Sequence, residues 1–509
     1  MAQAGRADTA GARAQRSKAG WGSVAIALAL TGLALCARAW PVVGADVLPR
    51  GDFAADLLLA DAISRGEPLL TGHYSRFGFN HPGPGFFYLS WPLAELGRAA
   101  GLSASGAWHL AAVLVNAGFA VLLAWIATRL EGIRPTAAVL ALGAAAAALA
   151  FGIGAGSVWM PDRIVLPFAC LMLALIGAAR GELSLLIVAA GLTGLLVHGY
   201  ILMVAVAVPL WLGVAAYALS RQAFRDRRAA FKAAGVSLLI AGLLALPILL
   251  EALLTTPSNF GRILDATGAF DERAAPSAVL AFLANAAGHG LPWGLAFAVP
   301  LVLCAPRVAT ASWSALALLA AVAGLVFAVF TLFPGRLQLF SAAFLKGVVI
   351  AGVVPFVIVA LSRAEARLSG WFAGLLWPGL AAAALLALAL SPQPAPVPTD
   401  PTARLVAEVA ARLDADRPEA IGTAERPLVI AARPRAWVET VALVHALERR
   451  GIPVCQNIRH VLFPARNTCP DRAPTVRLLR ADACSETPCD LVAGDHGIRF
   501  LPVRDGAAQ

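Results

Sequence analysis

The chain is organised around residues 44–99, GADVLPRGDFAADLLLADAISRGEPLLTGHYSRFGFNHPGPGFFYLSWPLAELGRA, a polar stretch in an otherwise apolar sequence. This stretch contains four aspartates, two glutamates and two histidines, and its second half is an aromatic run rich in glycine and proline. One hydrophobic segment precedes it, and mostly apolar segments follow it. The pattern indicates a polar reaction or binding site held on a membrane scaffold.

The composition is that of a polytopic membrane protein. Of 509 residues, 59% are hydrophobic and only 14% are charged, and the mean hydropathy is +0.75. A helix needs about 20 mainly apolar residues to cross the bilayer core, and many such runs occur between Trp21 and Leu390. A soluble protein of this size would carry far more charge, so this class is excluded.

The basic residues predict how the chain crosses the membrane. The net charge is +10, but lysines and arginines lie in short gaps between apolar runs, which fits membrane topology and not a nucleic-acid-binding face. If residues 86–97 lie along the outer surface, every basic gap downstream, including 221–232, falls on the cytoplasmic side. We therefore predict about 11 spans, at 21–37, 107–128, 135–153, 163–179, 183–198, 200–219, 234–254, 290–305, 311–331, 338–361 and 371–390.

The two ends of the chain are predicted to lie on opposite sides of the membrane. The basic tail, residues 1–20, is assigned to the cytoplasm, and the first span is interpreted as a retained anchor. Ala37 and Ala39 leave signal-peptide cleavage as the alternative. An odd number of spans puts the C terminus outside. Because arginine outnumbers lysine and alanine abounds, we expect a bacterial protein of the inner (plasma) membrane.

Beyond a proline-rich linker at 391–401, residues 402–509 have the pattern of a small soluble domain. A helix at 402–413, a strand at Leu428–Ala432, a helix at Val438–Arg450 and a strand at Val476–Leu479 are predicted. The cysteines Cys455, Cys469, Cys484 and Cys489 fit two disulfides of open pairing, with a zinc site as the weaker alternative. The predicted fold is therefore an all-α polytopic membrane protein with a small C-terminal extracytoplasmic α/β domain.

Two aspartates of the polar stretch are candidate catalytic residues. Residues 53–65 are predicted to form a helix with Asp52 as its N-cap and Gly66 at its C-terminal end. Asp56 lies one turn after Asp52 on the same face. A carboxylate at a membrane surface can act as the general base that takes a proton from an acceptor hydroxyl, so we predict this role for Asp52. The alternative is that Asp52 only caps the helix.

Other polar residues form a second group of candidates. The predicted substrate-binding residues are Tyr74, Arg76, His81, Asp162, His198, Arg336 and Lys346. For His81 the competing interpretation is a rigid turn set by the neighbouring prolines, and for Asp162, Arg163 and His198 it is capping or anchoring at span ends. Glu251 and Asn259 either line a cavity or face water. Asp46 and Asp61 are interpreted as solvated loop charges.

Lys346 is informative because it lies ten positions beyond Arg336, inside the predicted span at 338–361. A charge at the centre of a membrane helix costs about 2.5–3.5 kcal/mol on insertion scales. We predict that Lys346, with Arg336 and Arg76, binds a phosphate group. The alternative for Lys346 is that its side chain only extends to the membrane interface.

Two stretches carry a resemblance to a known superfamily: Gly51-Asp52-Phe53 and Asn80-His81-Pro82-Gly83-Pro84-Gly85-Phe86-Phe87-Tyr88. An acidic residue after the first span, a helix, and an aromatic-flanked His-Pro-x-Pro before a short surface helix resemble the first external loop of GT-C glycosyltransferases. Members include protein O-mannosyltransferases, lipid A aminoarabinose transferases and mycobacterial arabinofuranosyltransferases. The resemblance covers the N-terminal half best, including an external turn at Trp159-Met160-Pro161.

The resemblance implies a GT-C-like fold, a loop aspartate that activates the acceptor, and a polyprenyl-phosphate sugar as donor. Phe53, and not a second acid, follows Asp52, so a paired-acid or metal site loses support. We predict no cofactor besides the lipid-linked donor, and the need for a divalent metal stays open. The expected partners are this donor, membrane lipids and an extracytoplasmic acceptor, which is a cell-envelope glycan, lipid or protein, with no nucleic acid.

Three functions are compatible with these patterns. The first is a glycosyltransferase (hexosyl- or pentosyltransferase), because no nucleotide-binding motif occurs and an activated lipid-linked donor would supply the energy. The second is a transporter or flippase of lipid-linked intermediates. Internal repeats and acidic residues at the membrane midplane would favour this function. The third is a non-catalytic envelope scaffold. The acids concentrate in one loop and the sequence shows no internal repeat, so the enzyme is preferred.

Overall fold

The computed structural model describes residues 29–75, 77–129, 156–268, 273–288, 309–332, 337–351, 382–383, 386, 401–416, 427–431, 436–457, 463–472, 474–480, 484–485, 489–493 and 496–501. Outside the described residues lie the predicted spans at 135–153 and 290–305, residues 21–28 of the first span, residues 352–361 of the span at 338–361, most of the span at 371–390 and nearly all of the linker. The total number of spans and the division of the chain into domains therefore stay predictions.

The described chain as far as residue 351 is mostly α-helical. Its helices are α1 (Ala29–Val43), α2 (Gly51–Ser64), α3 (Gly85–Ala99), α4 (Ala104–Arg129), α5 (Met160–Arg163), α6 (Val165–Ala179), α7 (Leu183–Gly199), α8 (Leu202–Ala223), α9 (Arg227–Leu254), α10 (Asn259–Gly268), α11 (Pro276–Gly288), α12 (Ala309–Leu332) and α13 (345–351). Within the described ranges, four stretches are long and apolar enough to cross a membrane: Ala104–Ile126, Met160–Ala179, Leu202–Ala223 and Arg227–Leu254. All four coincide with predicted spans.

The membrane helices pack around α6. Every residue from Val165 to Ala178 is buried, and α6 contacts α4, α7 and α8. An α-helix that is apolar on all sides is stable in such a central position. By contrast, α9 exposes a row of leucines that includes Leu239, Leu243 and Leu246. Such a face suits contact with lipid chains.

The break predicted at His198-Gly199-Tyr200 is confirmed, since α7 ends at Gly199 and α8 begins at Leu202. α7 has 17 residues. At 1.5 Å per residue its length is about 26 Å, a little less than the ~30 Å hydrocarbon core. A side chain is excluded at Gly199, because a Cβ atom there would lie 2.6 Å from the ring of Phe86. The chain therefore turns where α3 packs against it.

The polar stretch folds as a helix, a short hairpin and a second helix. After α2, strands β1 (Tyr74–Ser75) and β2 (Phe79–Asn80) pair antiparallel, and α3 follows. Gly66 ends α2 with φ +80°, which confirms the predicted C-terminal glycine. α3 packs on α4 and buries Phe86 and Phe87, whereas Tyr88 and Leu89 are exposed. A helix with one buried and one exposed apolar face suits a membrane surface, and the location of residues 86–97 at that surface stays a prediction.

The start of α2 differs from the prediction. Arg50 is the N-cap residue and Asp52 lies in the first turn, so the prediction of Asp52 as the cap is wrong. The reason is Gly51, which adopts φ +51° and lets the chain enter the helix two residues earlier than predicted. The side chain of Arg50 makes no capping hydrogen bond. Asp52 is therefore a first-turn residue of α2 and not its N-cap.

A mixed five-stranded sheet lies in the C-terminal part. Its strands are β3 (Leu428–Ala431), β4 (Val454–Gln456), β5 (Val476–Arg480), β6 (Leu491–Ala493) and β7 (His496–Phe500), in the order β4-β3-β5-β7-β6. β4, β3 and β5 are parallel, and β7 and β6 are antiparallel to their neighbours. With α14 (Pro401–Asp416) and α15 (Trp437–Arg449), the sheet forms what we call the C-terminal unit. The four predicted elements are confirmed.

Two disulfides occur in the C-terminal unit. Cys455 pairs with Cys469 and Cys484 pairs with Cys489. The sequence predicted two disulfides but left the pairing open. The first links β4 to the loop after it, where the amide of Cys469 also donates to the carbonyl of Gln456. A zinc site built from these four cysteines is thereby ruled out.

The C-terminal unit shares a hydrophobic core with the polar stretch. Ala54, Ala55 and Leu58 of α2 pack in one cluster with apolar residues of α14, α15, β3 and β4. Polar contacts reinforce the junction, since Arg466 donates to the carbonyl of Leu58 at 2.8 Å and also bonds Glu448. α2 is therefore held from one side by the C-terminal unit.

Candidate functional site

A cavity of about 380 Å³ opens beside the first turns of α2. Its walls come from the polar stretch, the start of α5, the α7–α8 junction, α10, the end of α12, the segment before α13 and the start of α15. The lining residues are Asp52, Asp56, His73, Tyr74, Ser75, Phe77, Phe79, His81, Trp159, Met160, Pro161, Tyr200, Ile201, Leu202, Ala266, Thr267, Val329, Phe330, Leu337, Phe340, Ser341 and Trp437. A mostly apolar cavity with a few convergent polar groups is the usual form of a ligand site.

Asp52 lies at this cavity in the first turn of α2 and is partly exposed. The indole Nε1 of Trp159 donates a hydrogen bond to Oδ2 of Asp52 at 3.1 Å. Trp159 is in turn packed on Phe340, with ring centroids 5.6 Å apart. The position near the N-terminus of α2 also favours a negative charge. Asp52 is thus held as an oriented carboxylate at the cavity wall.

Asp56 lies one turn further along α2 and is buried. Its Oδ2 bonds Nδ1 of His73 at 2.8 Å, and its Oδ1 accepts from the amide of Tyr74 at 3.3 Å. The positive charge of Arg163 also acts on this carboxylate. Both oxygens are therefore engaged in holding the hairpin against α2, which is a positioning role.

His73 was not among the predicted site residues. It is buried, lines the cavity and stacks on Phe87, with ring centroids 4.1 Å apart. Within the described chain, its Nε2 is buried without a hydrogen-bond partner. The sequence feature that could have predicted His73 is the presence of a histidine and two aspartates in one short polar stretch. Sequence spacing alone did not show that the hairpin folds back onto α2.

His81 is a buried residue of the turn between β2 and α3. Its Nδ1 accepts from the amide of Ile201 at 3.4 Å, and its ring lies against Tyr200. Its own amide and carbonyl bond the backbone of His73 and Gly72. Burial, with the charge of His73, lowers the pKa of His81 to about 3, so the ring is neutral at pH 7. These contacts favour the turn interpretation.

Asn259 and Glu251 bind the hairpin. The side chain of Asn259 accepts from the amide of Asn80 at 2.8 Å and donates to its carbonyl at 2.7 Å. Glu251 accepts from the amide of Asn259 at 2.8 Å. Both side chains are buried and neither lines the cavity, so the expectation that they line it or face water is wrong.

His198 and Arg163 anchor α3 and do not line this cavity. Nδ1 of His198 accepts from the amide of Gly85 at 2.9 Å, and its Nε2 donates to the carbonyl of Leu244. Arg163 donates to Ser90 Oγ and lies over the ring of Phe86. For both residues, these contacts fit the alternative interpretation of anchoring at span ends.

The cationic candidates are only partly described. Arg76 and Arg336 lie outside the described residues. Lys346 is half-buried at the second residue of α13, because a 3₁₀ turn at Leu339–Ala342 precedes that helix. The expected span beginning at 338 is therefore wrong at its start, and Lys346 lies near a helix end. Its charge acts on Asp162, which accepts from Ser157 Oγ at 2.7 Å.

The two remaining loop aspartates differ from each other. Asp46 is exposed, as predicted. Asp61 is not a solvated charge, because it pairs with Arg98 at 3.3 Å and lies 4.0 Å from His445 of the C-terminal unit. Burial raises the pKa of Asp61 despite this pairing. Asp61 is shielded from solvent because α15 covers this side of α2.

Among the described residues, no group of three or more His, Cys, Asp and Glu side chains could hold a metal ion.

No protein-family model and no curated protein match the sequence. Solved structures do match. One is ArnT from Cupriavidus metallidurans in the apo state, at 15% identity and a TM-score of 0.54, over 95% of this chain and 98% of the ArnT chain.

A second structure, ArnT from Cupriavidus metallidurans bound to undecaprenyl phosphate, matches at 14% identity and a TM-score of 0.50, over 94% of this chain and 96% of that chain. ArnT is a lipid A aminoarabinose transferase of the GT-C family. At these identities the likeness establishes the fold. The chain therefore has an ArnT-like, GT-C-like membrane fold, as the resemblance of residues 51–53 and 80–88 implied.

Proposed function

We propose that the protein is a membrane glycosyltransferase that transfers a sugar from a polyprenyl-phosphate donor to an extracytoplasmic acceptor. The observation that carries the proposal is the position of Asp52, which lines the cavity with its carboxylate oriented by Trp159. The ArnT-like fold supports the donor class, because one ArnT structure holds undecaprenyl phosphate. The acceptor is a cell-envelope glycan, lipid or protein.

Asp52 is the general base in this proposal. Its carboxylate takes the proton of the acceptor hydroxyl while the acceptor oxygen bonds to the anomeric carbon of the sugar. The bond between that carbon and the phosphate oxygen breaks, and its electron pair leaves with the polyprenyl phosphate. Asp56 is the less suitable base, because His73 and the amide of Tyr74 engage both of its oxygens.

The leaving phosphate gains negative charge, which fixed cations would stabilise. Lys346, Arg336 and Arg76 are the proposed phosphate-binding residues. We also propose that the cavity faces the extracytoplasmic side of a bacterial inner membrane, with the N terminus in the cytoplasm. The two disulfides of the C-terminal unit support this orientation, because disulfides persist in oxidising compartments.

The test is release of undecaprenyl phosphate from undecaprenyl-phosphate glucose and undecaprenyl-phosphate arabinose, in vesicles that contain the protein and a cell-envelope extract as acceptor. The parent should release the lipid, whereas Asp52→Asn should bind the donor and release none, because an amide cannot take a proton. Equal release by both proteins would remove Asp52 from the mechanism.

The competing functions give different results in the same vesicles. A flippase would move the sugar-lipid across the bilayer without cleaving it. A scaffold would neither cleave nor move it.

A further inference from the structure

One cavity-lining residue comes from the C-terminal unit. Trp437 is the first residue of α15, and every other described lining residue belongs to the polar stretch or to the membrane helices and their connections. A Cβ atom at Gly51 would lie 3.4 Å from Cη2 of Trp437, so the indole lies against the residue that precedes Asp52. The C-terminal unit therefore reaches the cavity beside the proposed base.

The position of this indole is fixed by its surroundings. Its ring packs on Tyr74 at a centroid distance of 5.8 Å and a tilt of 45°. Two residues further along α15, Glu439 pairs with Arg50 at 3.9 Å. The following turns of α15 pack in the core shared with α2. An aromatic ring held in this way loses little conformational entropy when a ligand binds to it.

The other tryptophan of the cavity has a different role. Trp159 donates its indole N–H to Asp52 and packs on Phe340. Trp437 instead presents a half-buried ring to a cavity whose polar groups lie along α2 and the hairpin. A sugar ring carries hydroxyls at its edge and C–H bonds on its faces, so it suits a site with an aromatic face beside hydrogen-bonding groups.

We propose that Trp437 is a binding residue for the glycosyl group of the lipid-linked donor, with the indole packed against the C–H face of the sugar. This inference rests on the proposed function. It assigns the C-terminal unit a direct part in recognising the sugar, in addition to holding α2. The lipid phosphate and the polyprenyl chain would contact other parts of the protein.

The test compares a sugar-bearing lipid with the bare lipid on the full-length protein. Binding of undecaprenyl phosphate, undecaprenyl-phosphate glucose and undecaprenyl-phosphate arabinose is measured for the parent, Trp437→Ala and Trp437→Phe. In the parent, at least one sugar-lipid should bind more tightly than undecaprenyl phosphate. Trp437→Ala should reduce that advantage by about two- to tenfold and leave the bare lipid unaffected, whereas Trp437→Phe should keep most of it.

Trp40→Ala is the matched control, because it removes an exposed indole on α1 that does not line the cavity. It should keep the advantage of the sugar-lipid. The inference is overturned if Trp437→Ala keeps the full advantage, or if Trp40→Ala loses as much as Trp437→Ala. Equal binding of bare and sugar-bearing lipids by the parent would also overturn it, while leaving a lipid-phosphate site intact. If the parent binds none of the three lipids, the proposed function itself fails.

Discussion

The indole Nε1 of Trp159 donates a hydrogen bond of 3.1 Å to Oδ2 of Asp52, although 107 positions separate the two residues in the sequence. The contact joins the turn before α5 to the first turn of α2. It orients one carboxylate oxygen of the proposed base within the cavity. The membrane helices therefore contribute to the geometry of a residue that belongs to the polar stretch.

Trp159→Phe tests this relationship. The variant keeps an aromatic ring against Phe340 but lacks the N–H donor. A neutral-to-charged hydrogen bond contributes about 1.5–3 kcal/mol, so misorientation of Asp52 should lower kcat by roughly tenfold or more with little change in donor KM. Trp40→Phe, on the exposed face of α1, is the control. An unchanged kcat in Trp159→Phe would show that Asp52 needs no such support.

His445 predicts an acid-dependent loss of stability. Burial, with the charges of Arg449 and Arg98, lowers the pKa of His445 from 6.5 to about 3. Between these two pH values the unfolded chain binds a proton that the folded chain does not, so the free energy of unfolding decreases as the pH falls. Both ring nitrogens are buried without hydrogen-bond partners in the described chain.

His445→Leu should weaken this dependence. Thermal unfolding midpoints of the detergent-purified protein, measured from pH 7 to pH 4, should fall less steeply in the variant than in the parent. The raised pKa of Asp61 acts in the opposite direction, since protonation of that carboxyl favours the folded state. Asp61 is therefore left unchanged in both proteins. Parallel curves would contradict the assignment to His445.

Lys346→Met and Arg336→Gln test the proposed phosphate site. Each should weaken binding of undecaprenyl phosphate, because a fixed positive charge near the phosphate is removed. Lys232→Met is a matched control, since that lysine is exposed on α9. All proteins are compared at similar thermal stability. If Lys346→Met binds undecaprenyl phosphate like the parent and only Arg336→Gln binds it more weakly, Lys346 interacts with Asp162 and does not bind the donor phosphate.

Reporter fusions at Ser220 and Ser391 test the topology. Ser220 lies near the end of α8, beside the basic segment 221–232, and is expected in the cytoplasm. Ser391 follows the last predicted span and is expected outside. The two fusions should therefore report opposite sides of the membrane. If both report the same side, the predicted number of spans is wrong.

Local sequence patterns predicted many elements of the fold. Apolar runs located α4, α6, α8 and α9, because a membrane helix needs about 20 consecutive apolar residues whatever its neighbours are. Periodicity located α14, α15, β3 and β5 for a similar reason. β4, β6 and β7 were not predicted. They are short, and β6 and β7 complete their hydrogen bonds only within the sheet.

The sequence by itself determined that this is a membrane protein with one polar stretch at residues 44–99, and it identified Asp52 and Asp56 as residues on one helix face. Only the tertiary structure decided what their neighbours are. Trp159 reaches Asp52, His73 binds Asp56, α15 covers Asp61, and Trp437 enters the cavity. Each of these contacts brings together segments that are distant along the chain or folded back on each other. The burial and hydrogen bonding that set the role of a carboxylate arise from such contacts, and residue spacing does not encode them.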